Sequence, residues 1–257
     1  MAGMTDVKTV TLAGGVEIPI VGFGTWQITG RHGYQATRTA LEAGYRHIDT
    51  ATMYGNESEV GRAVRDSGVP RSEVFVTTKV PADRAGRADD TLTASLRALG
   101  MDYVDLWLIH WPPPPRSLAS MWTELLAARD AGLARAVGVS NYTTAQIDEL
   151  AEKPALNQIP WSPFDYDATT VAESAQRGVA IEGYSAFKRS DLNHPVLADV
   201  AAAHSVTPAQ VILRWHIEHD IIVIPKSATP ERIVSNLDVF GFSLTPAEVA
   251  AIDALST

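Results

Sequence analysis

Eight short apolar runs, separated by helical segments, constrain the fold of this chain more than any other feature of its sequence. The runs are Ile20–Gly24, Tyr45–Asp49, Val74–Lys79, Val104–His110, Ala134–Ser140, Ala155–Ile159, Val179–Tyr184 and Ile221–Lys226. Continuous apolar runs are typical of strands that are buried on both faces of a parallel sheet. Their alternation with helices predicts right-handed βα units. Eight units favour a closed α/β (β/α)8 TIM barrel, with an open doubly wound sheet as the alternative.

Helical patterns fill the intervals between the runs and follow the last one. Examples between the runs are Glu57–Asp66, Asp90–Leu99, Ala119–Ala131, Ala145–Ala151 and Pro208–Glu218, and Glu231–Phe240 and Pro246–Leu255 follow the last run. Before the first run, Lys8–Leu12 and Val16–Ile18 flank Gly14-Gly15, a pattern that predicts an N-terminal β-hairpin capping the barrel floor. Pro112–Pro115 predicts a stiff loop. Because no linker or low-complexity stretch interrupts the alternation, we expect residues 1–257 to form a single domain, close to the roughly 250 residues that one barrel needs.

Charge and composition argue against several classes of function. The formal net charge of −9 disfavours a nucleic-acid surface, which needs a basic stripe. The absence of cysteine rules out disulfides, thiolate nucleophiles and cysteine-ligated zinc, and we expect no metal site. Met1–Val10 lacks the pattern of a secretory signal, and no apolar stretch reaches the length of a membrane span. We therefore expect a cytoplasmic protein without membrane partners.

Polar side chains stand where the apolar runs end. They are Asp49, Lys79, His110, Ser140, Asn141, Asn157, Gln158, Tyr184, Ser185, Lys226 and Ser227, and Tyr54 follows Asp49 on the same loop. In (β/α)8 barrels the active site lies at the carboxyl ends of the strands. An acid, a phenol, a lysine and an imidazole from successive strand ends are therefore candidates for one active site.

These four residue types have a chemical logic as a group. A lysine cation beside a tyrosine stabilises the phenolate and lowers the tyrosine pKa, so Lys79 is expected to act on Tyr54 in this way. Asp49 would keep Lys79 charged, and Tyr54 would then serve as a general acid for a carbonyl oxygen. Neutral His110 would polarise or orient the same carbonyl.

Each of the four also has a purely structural interpretation. Asp49 would be a loop cap, Tyr54 a packed loop aromatic, Lys79 a strand-end lysine and His110 a core histidine. Spacing along the chain does not show that the four side chains meet.

Several stretches resemble the aldo-keto reductase family, from the hairpin to about Phe240. They are Gly22–Trp26, Gly44–Ala51, Tyr54–Glu57, Thr77–Lys79, Asp105–Trp111, Gly138–Tyr142, Ile224–Ser227 and Pro230–Arg232 with Asn236. The chain looks like a short bacterial-type member, similar to diketogluconate and aldehyde reductases. This resemblance implies a (β/α)8 barrel that binds an extended nicotinamide cofactor without a Rossmann domain. Gly22-Phe23-Gly24 indeed lacks the full dinucleotide fingerprint.

The resemblance also implies roles for individual residues. Asp49, Tyr54, Lys79 and His110 correspond to the family's catalytic group. The implied cofactor-binding residues are Gly24, Thr25, Asp49, Ser140, Asn141, Gln158, Tyr184, Ser185, Lys226, Ser227, Arg232 and Asn236. Among these, Ser140, Asn141 and Gln158 match the partners of the nicotinamide amide, and Tyr184 the aromatic that stacks on its ring. Ser185 leads a loop toward the pyrophosphate, and Asn236 matches the adenine contact.

The phosphate-binding residues set the choice of cofactor. Lys226, Ser227 and Arg232 match the family's clamp for the 2′-phosphate, and two cations with a hydroxyl near a helix start suit a dianion. NADPH/NADP+ is therefore expected in preference to NADH, the alternative being that Lys226 and Arg232 are only an exposed basic pair.

Departures from the family pattern affect mainly the substrate site. Val80-Pro81 and Ala186-Phe187 replace residues common in relatives, Ile159–Ser162 differs as well, and Ser235 precedes Asn236. The loop after His110 is short, and the sequence ends at Thr257 soon after the last helical pattern. We expect an open, shallow site in which Trp26, Tyr54, His110 and Trp111 contact the substrate. The alternative for the two tryptophans is packing at the barrel rim.

The function predicted from these observations is reduction of aldehydes or ketones by hydride transfer from NADPH, with Tyr54 as general acid. The expected partner is a small carbonyl substrate, and the expected state is a monomer. Two other functions compete with it. One is a Schiff-base enzyme with Lys79 as nucleophile, although that chemistry needs a depressed lysine pKa, which Asp49 opposes. The other is a cofactor-sensing binding protein.

Overall fold

The computed structural model describes residues 8–256, and it begins with the predicted hairpin. The prediction about a secretory signal falls largely on residues 1–7, which lie outside this range, as does Thr257. Strands β1 (Thr9–Thr11) and β2 (Glu17–Pro19) pair antiparallel. Their connection passes through Gly14 and Gly15, both at positive φ, a conformation that glycine adopts without steric cost.

The hairpin covers the amino-terminal end of the barrel, as predicted. Lys8 Nζ donates to the carbonyl of Ile217 at 3.3 Å and pairs with Asp220 at 2.6 Å, just before the last strand of the barrel begins. Within the hairpin, Leu12 and Ile18 are buried. The opposite, carboxyl-terminal end of the strands is left free of the hairpin.

Eight parallel strands follow in chain order around the sheet. They are β3 (Phe23–Gly24), β4 (His47–Asp49), β5 (Phe75–Val80), β6 (Val104–Ile109), β7 (Ala134–Ser140), β8 (Leu156–Pro160), β9 (Ala180–Tyr184) and β10 (Ile222–Val223). The amide of Gly22 donates to the carbonyl of Val223 at 2.8 Å, and the amide of Val223 donates to the carbonyl of Ile20 at 2.9 Å. Because these bonds join the first strand to the last, the sheet is a closed barrel and the open-sheet alternative is wrong.

Helices cover the outside of the barrel. They are α1 (Gly30–Ala43), α2 (Glu57–Asp66), α3 (Ala88–Leu99), α4 (Pro115–Asp130), α5 (Thr144–Asp148), α6 (Ala168–Gln176), α7 (Pro195–His204), α8 (Pro208–Glu218), α9 (Pro230–Leu237) and α10 (Pro246–Asp253). Every residue of β5 and β6 is buried, because helices pack on one face of these strands and the barrel interior fills the other. The apolar runs therefore have the origin that the sequence indicated.

Several helix boundaries differ from the sequence prediction, and β3, β4 and β10 are shorter than the predicted runs. Helix α4 begins at Pro115, four residues before the predicted start, because proline is well suited to the first helical position, where its missing N–H needs no partner. Helices α5 and α9 end before Ala151 and Phe240. Within residues 8–256, no single helix is long and apolar enough to cross a membrane. Only α7 and α8 taken together meet that criterion, and they are bent by 88° at their junction.

Candidate active site

An ion pair between neighbouring strands lies at the centre of the carboxyl-terminal end of the barrel. Asp49 ends β4 and Lys79 lies near the end of β5, which pairs with β4 in parallel. Lys79 Nζ lies 2.7 Å from each carboxylate oxygen of Asp49 and donates to the carbonyl of Thr50 at 3.0 Å. Burial alone would lower the pKa of Lys79, but Asp49 and Tyr54 outweigh it and the net pKa is raised. Lys79 is therefore a permanent cation.

Tyr54 reaches this ion pair from a short 3-10 turn, Thr52–Tyr54, that follows β4. The hydroxyl of Thr52 donates to the carbonyl of Lys79 at 2.9 Å and ties the turn to β5. Lys79 Nζ donates to the Tyr54 hydroxyl at 3.3 Å. Lys79 lowers the pKa of Tyr54, as predicted from the sequence, but burial raises it by more, so the net pKa of Tyr54 is raised. The phenol accordingly keeps its proton at neutral pH.

His110 follows β6 and completes the predicted quartet. Its ring centroid is 5.6 Å from that of Tyr54, with the planes at 74°. Burial, and secondarily the charge of Lys79, lowers the pKa of His110 to about 3. The imidazole is therefore neutral and carries one N–H. We call Asp49, Tyr54, Lys79 and His110 the catalytic group, after the role that the sequence predicts for them.

Two indoles stand exposed at the rim of this end of the barrel. The exposed fraction of the side chain is 45% for Trp26 and 50% for Trp111. Lys188 Nζ lies 5.7 Å from the ring centroid of Trp26. Since each ring keeps about half of its surface in solvent, both are available to a ligand.

A wall of polar side chains continues from the catalytic group along β7, β8 and β9. The Ser140 hydroxyl and the backbone N–H of Asn141 both donate to the backbone carbonyl of Gln158, at 2.8 and 2.9 Å. The Asn141 side chain donates to the carbonyl of His110 at 3.1 Å and accepts from the Tyr184 hydroxyl at 2.7 Å. Asn141 has a φ of 63°, a left-handed conformation that asparagine tolerates better than most residues. We call Ser140, Asn141, Gln158 and Tyr184 the polar wall.

Gln158 links the polar wall to the ion pair and to a residue that the sequence analysis missed. Its amide nitrogen donates to Asp49 Oδ2 at 2.9 Å and to Glu182 Oε2 at 3.0 Å. Glu182 lies in β9 and is completely buried. Burial, together with the charge of Asp49, raises the pKa of Glu182 to about 8. The sequence feature that could have revealed Glu182 is its place as the single acidic residue inside the apolar run Val179–Tyr184.

Four of the predicted cofactor residues lie just after β10 and on α9. Lys226 and Arg232 are exposed, and neither forms an ion pair with a carboxylate within residues 8–256. Ser227 is buried, and its hydroxyl accepts from the amide of Thr229 at 3.0 Å. Asn236 is buried on α9. We call Lys226, Ser227, Arg232 and Asn236 the phosphate end.

Three further predicted cofactor residues lie on the loops between these regions. Gly24 leaves no room for a side chain, because a Cβ there would lie 2.9 Å from the carbonyl of Ile224. Thr25 is buried and donates to the backbone carbonyl of Asp49 at 2.9 Å. Ser185 follows β9 with a φ of 61°. Across the described part of the chain, no group of three or more histidine, aspartate or glutamate side chains is arranged to hold a metal ion.

Comparisons with known proteins agree with this geometry. The model of the Aldo/keto reductase family matches residues 20–257. The 2,5-diketo-D-gluconic acid reductase B of Corynebacterium sp. is 42% identical over 261 residues, which cover 98% of this chain and 94% of that protein. The crystal structure of an aldo/keto reductase from Brucella melitensis has a TM-score of 0.94 at 41% identity, covering 97% of this chain and 100% of that one. A Bombyx mori aldo-keto reductase in complex with NADP has a TM-score of 0.89 at 36% identity, covering 98% and 94%.

Proposed function

Because this chain belongs to the aldo/keto reductase family and is an NADP-dependent oxidoreductase that reduces aldehydes or ketones, we propose that Tyr54 is its general acid. The observation that carries the proposal is the contact of the Tyr54 hydroxyl with Lys79, which is itself held by Asp49. This arrangement places a protonated phenol beside a fixed cation. A group that must give up a proton as negative charge develops needs both features.

The residues of the catalytic group divide the work of the reaction. NADPH, when bound, supplies the hydride that adds to the carbonyl carbon. Tyr54 gives its proton to the carbonyl oxygen, and Lys79 at 3.3 Å stabilises the phenolate that remains. Asp49 holds Lys79 in position and keeps it charged. Neutral His110 donates its N–H to the same carbonyl oxygen and orients the substrate.

The polar wall and the phosphate end fit the two ends of an extended NADPH molecule. The Tyr184 ring is fixed by its hydrogen bond to Asn141 and offers a flat face for stacking on the nicotinamide. Ser140, Asn141 and Gln158 offer polar groups to the carboxamide. At the other end, Lys226 and Arg232 have no carboxylate partner among the described residues and suit a dianionic 2′-phosphate, which supports NADPH over NADH.

The remaining cofactor contacts in this proposal come from loops and from α9. Ser227 adds a hydroxyl at the phosphate end, and Asn236 contacts the adenine. Ser185 approaches the pyrophosphate, and Gly24 and Thr25 line the cofactor beside Asp49. The close packing of Gly24 on the carbonyl of Ile224 supports a role for its backbone in particular.

The proposed substrates are small or varied carbonyl compounds, including keto sugars, dicarbonyls and keto esters. Trp26 and Trp111 form the exposed walls of the site, with Tyr54 and His110 at its base. A related reductase is named for 2,5-diketo-D-gluconic acid, a sugar acid with two ketone groups, which supports this substrate class.

The two competing functions are less consistent with the site. A Schiff-base lysine must lose its proton, whereas the environment of Lys79 raises its pKa. A cofactor-sensing protein has no need for an acid held against a buried ion pair. We further propose that residues 1–257 form one domain, which acts as a cytoplasmic monomer. One apolar core that includes residues from Leu12 to Ile252 supports the single domain.

The test is a Tyr54→Phe variant, assayed for NADPH binding by fluorescence and for NADPH oxidation with a panel of carbonyls. We expect the dissociation constant for NADPH to stay within about twofold, while turnover falls by about a hundredfold or more, as on loss of a general acid. Tyr34→Phe is the matched control, because the Tyr34 hydroxyl bonds Asp66 on the surface. Turnover by Tyr54→Phe equal to that of the control would remove Tyr54 from the acid role.

A further inference from the structure

A connected series of buried polar side chains runs from the floor of the barrel to the catalytic group. It begins at His47, whose Nε2 lies 3.5 Å from Glu182 Oε1, and Glu182 Oε2 accepts from Gln158. Gln158 donates to Asp49, and Asp49 accepts from Lys79. All five side chains are buried. A buried polar group destabilises the fold unless it has a hydrogen-bond partner. The position of every proton in this series therefore matters.

The surroundings of His47 indicate where one proton lies. Its Nδ1 is 3.3 Å from the carbonyl of Pro19, so Nδ1 carries the hydrogen and Nε2 presents a lone pair. Burial lowers the pKa of His47 to about 3, so the ring stays neutral. Glu182 Oε1 faces this lone pair and has no other hydrogen-bond partner within residues 8–256. A proton on Glu182 Oε1 satisfies both atoms, whereas a carboxylate would oppose lone pair to lone pair.

Thr77 offers His47 a second contact, with its hydroxyl 3.4 Å from Nε2. If this hydroxyl donated to Nε2 instead, Glu182 Oε1 would remain a buried acceptor without any donor. A neutral carboxylic acid at Glu182 lowers that cost, because an unsatisfied buried charge costs more than an unsatisfied buried neutral group.

Glu182 also determines which way the Gln158 amide points. The amide nitrogen lies between two acceptors, Asp49 Oδ2 and Glu182 Oε2, so both of its hydrogens are used. The amide oxygen must therefore point away from both carboxyl groups. It accepts no hydrogen bond within residues 8–256 and is not fully buried, so it is free to meet a ligand in the cleft.

We propose that Glu182, as a neutral carboxylic acid, is a positioning residue that directs the Gln158 amide oxygen toward the carboxamide of the nicotinamide. The neutral form also keeps a second negative charge away from the ion pair of Asp49 and Lys79. This proposal rests on the proposed function, because it assigns the cofactor amide to the polar wall.

The charged groups around Glu182 agree with a neutral acid. The titratable groups that interact with its charge or lie next to it in the barrel interior are His47, Asp49, Tyr54 and Lys79. Burial and the carboxylate of Asp49 both raise the pKa of Glu182, whereas Gln158 and Lys79 lower it only in part. An ionised Glu182 would in turn raise the pKa of Tyr54.

The experiment compares Glu182→Gln with Glu182→Leu. Glutamine reproduces the neutral acid, because it accepts from Gln158 through its oxygen and donates to His47 through its nitrogen. Leucine can do neither. At pH 7 we expect Glu182→Leu to bind NADPH about tenfold more weakly, the loss of one buried hydrogen bond, and Glu182→Gln to restore affinity to within about twofold of wild type. Infrared spectra of the cofactor-free protein should show a protonated carboxyl band at pH 7 that is missing in Glu182→Gln.

Two results would overturn the proposal. One is a wild-type spectrum without the protonated carboxyl band at pH 7, and the other is a Glu182→Gln variant that binds NADPH as weakly as Glu182→Leu. If Glu182→Leu fails to fold, the infrared band and the affinity of Glu182→Gln still decide. Neither readout depends on turnover, so a failure here differs from a failure of the Tyr54→Phe test, which would leave the band and the NADPH affinity unchanged.

Discussion

The catalytic group and the phosphate end lie on the same end of one barrel, but they are built in opposite ways. In the catalytic group, Lys79 is buried and makes four contacts of 2.7–3.3 Å to Asp49, Thr50 and Tyr54. At the phosphate end, Lys226 and Arg232 are exposed and pair with no carboxylate in the described range 8–256. One set of charges is satisfied within the protein, and the other has no carboxylate partner among residues 8–256.

The two kinds of charge that such regions meet need different surroundings. Charge that develops during a reaction is best met by groups already fixed in position, because they need no reorganisation at that moment. A ligand that carries its own permanent charge can instead complete an unpaired site, and exposure keeps the cations hydrated until it arrives. Damage to the first region should therefore appear in turnover and stability, and damage to the second in affinity.

The largest effect is expected when the buried ion pair is broken. Lys79→Met would leave Asp49 as an unpaired buried charge, which costs about 3–5 kcal/mol of unfolding free energy. Turnover should fall by about a thousandfold, because the phenolate of Tyr54 loses its stabilising cation. Urea unfolding and carbonyl-dependent NADPH oxidation measure the two effects.

A double variant separates the two effects in the catalytic group. Combining Lys79→Met with Asp49→Asn removes both charges and should recover part of the stability without restoring turnover. Lys153→Met is the control, because Lys153 is a surface lysine that bonds Asp148. If turnover returned together with stability, the ion pair would have only a structural role and the contrast with the phosphate end would fail.

A smaller effect is expected at the phosphate end. Lys226→Met and Arg232→Met should each weaken NADPH binding by about tenfold, a typical loss for one charge-assisted hydrogen bond, with little change in NADH binding or stability. Fluorescence titration with both cofactors measures the ratio. Arg129→Met removes the same charge from a surface arginine that pairs with Glu152 and serves as the control. Equal losses for NADPH and NADH would show that these cations do not contact the 2′-phosphate.

The last effect is a slope and not a single loss, and it concerns the pH dependence of stability at Glu182. Its pKa rises from 4.5 to about 8 on folding, mainly through burial, so the native state holds a proton that the unfolded state has released. Stability must then decrease with rising pH between these two values, by at most about 1.4 kcal/mol per pH unit. Glu182→Gln should flatten that decline when urea unfolding is compared at pH 5, 6.5 and 8. An unchanged slope would mean that Glu182 is ionised in the native state.

Much of the fold could be predicted because its determinants are local. Strands buried on both faces must be apolar along their length, so β5 and β6 were visible as uninterrupted runs. Helix ends were less accurate, as at Pro115, because proline is compatible with both a loop and a first helical turn. The proximity of Asp49, Tyr54, Lys79 and His110 was also predictable, since strand order brings successive strand ends to one face of a barrel.

The sequence alone indicated eight βα units, the hairpin before them and the residue types at the strand ends, because periodicity and strand order need no knowledge of contacts. Two features required the tertiary structure, namely the net direction of the Tyr54 pKa shift and the contacts of buried Glu182. Both depend on how far a group is removed from water and which charges lie within a few ångströms, and chain position records neither. The same holds for Lys226 and Arg232, because the sequence does not show that no carboxylate within residues 8–256 pairs with them.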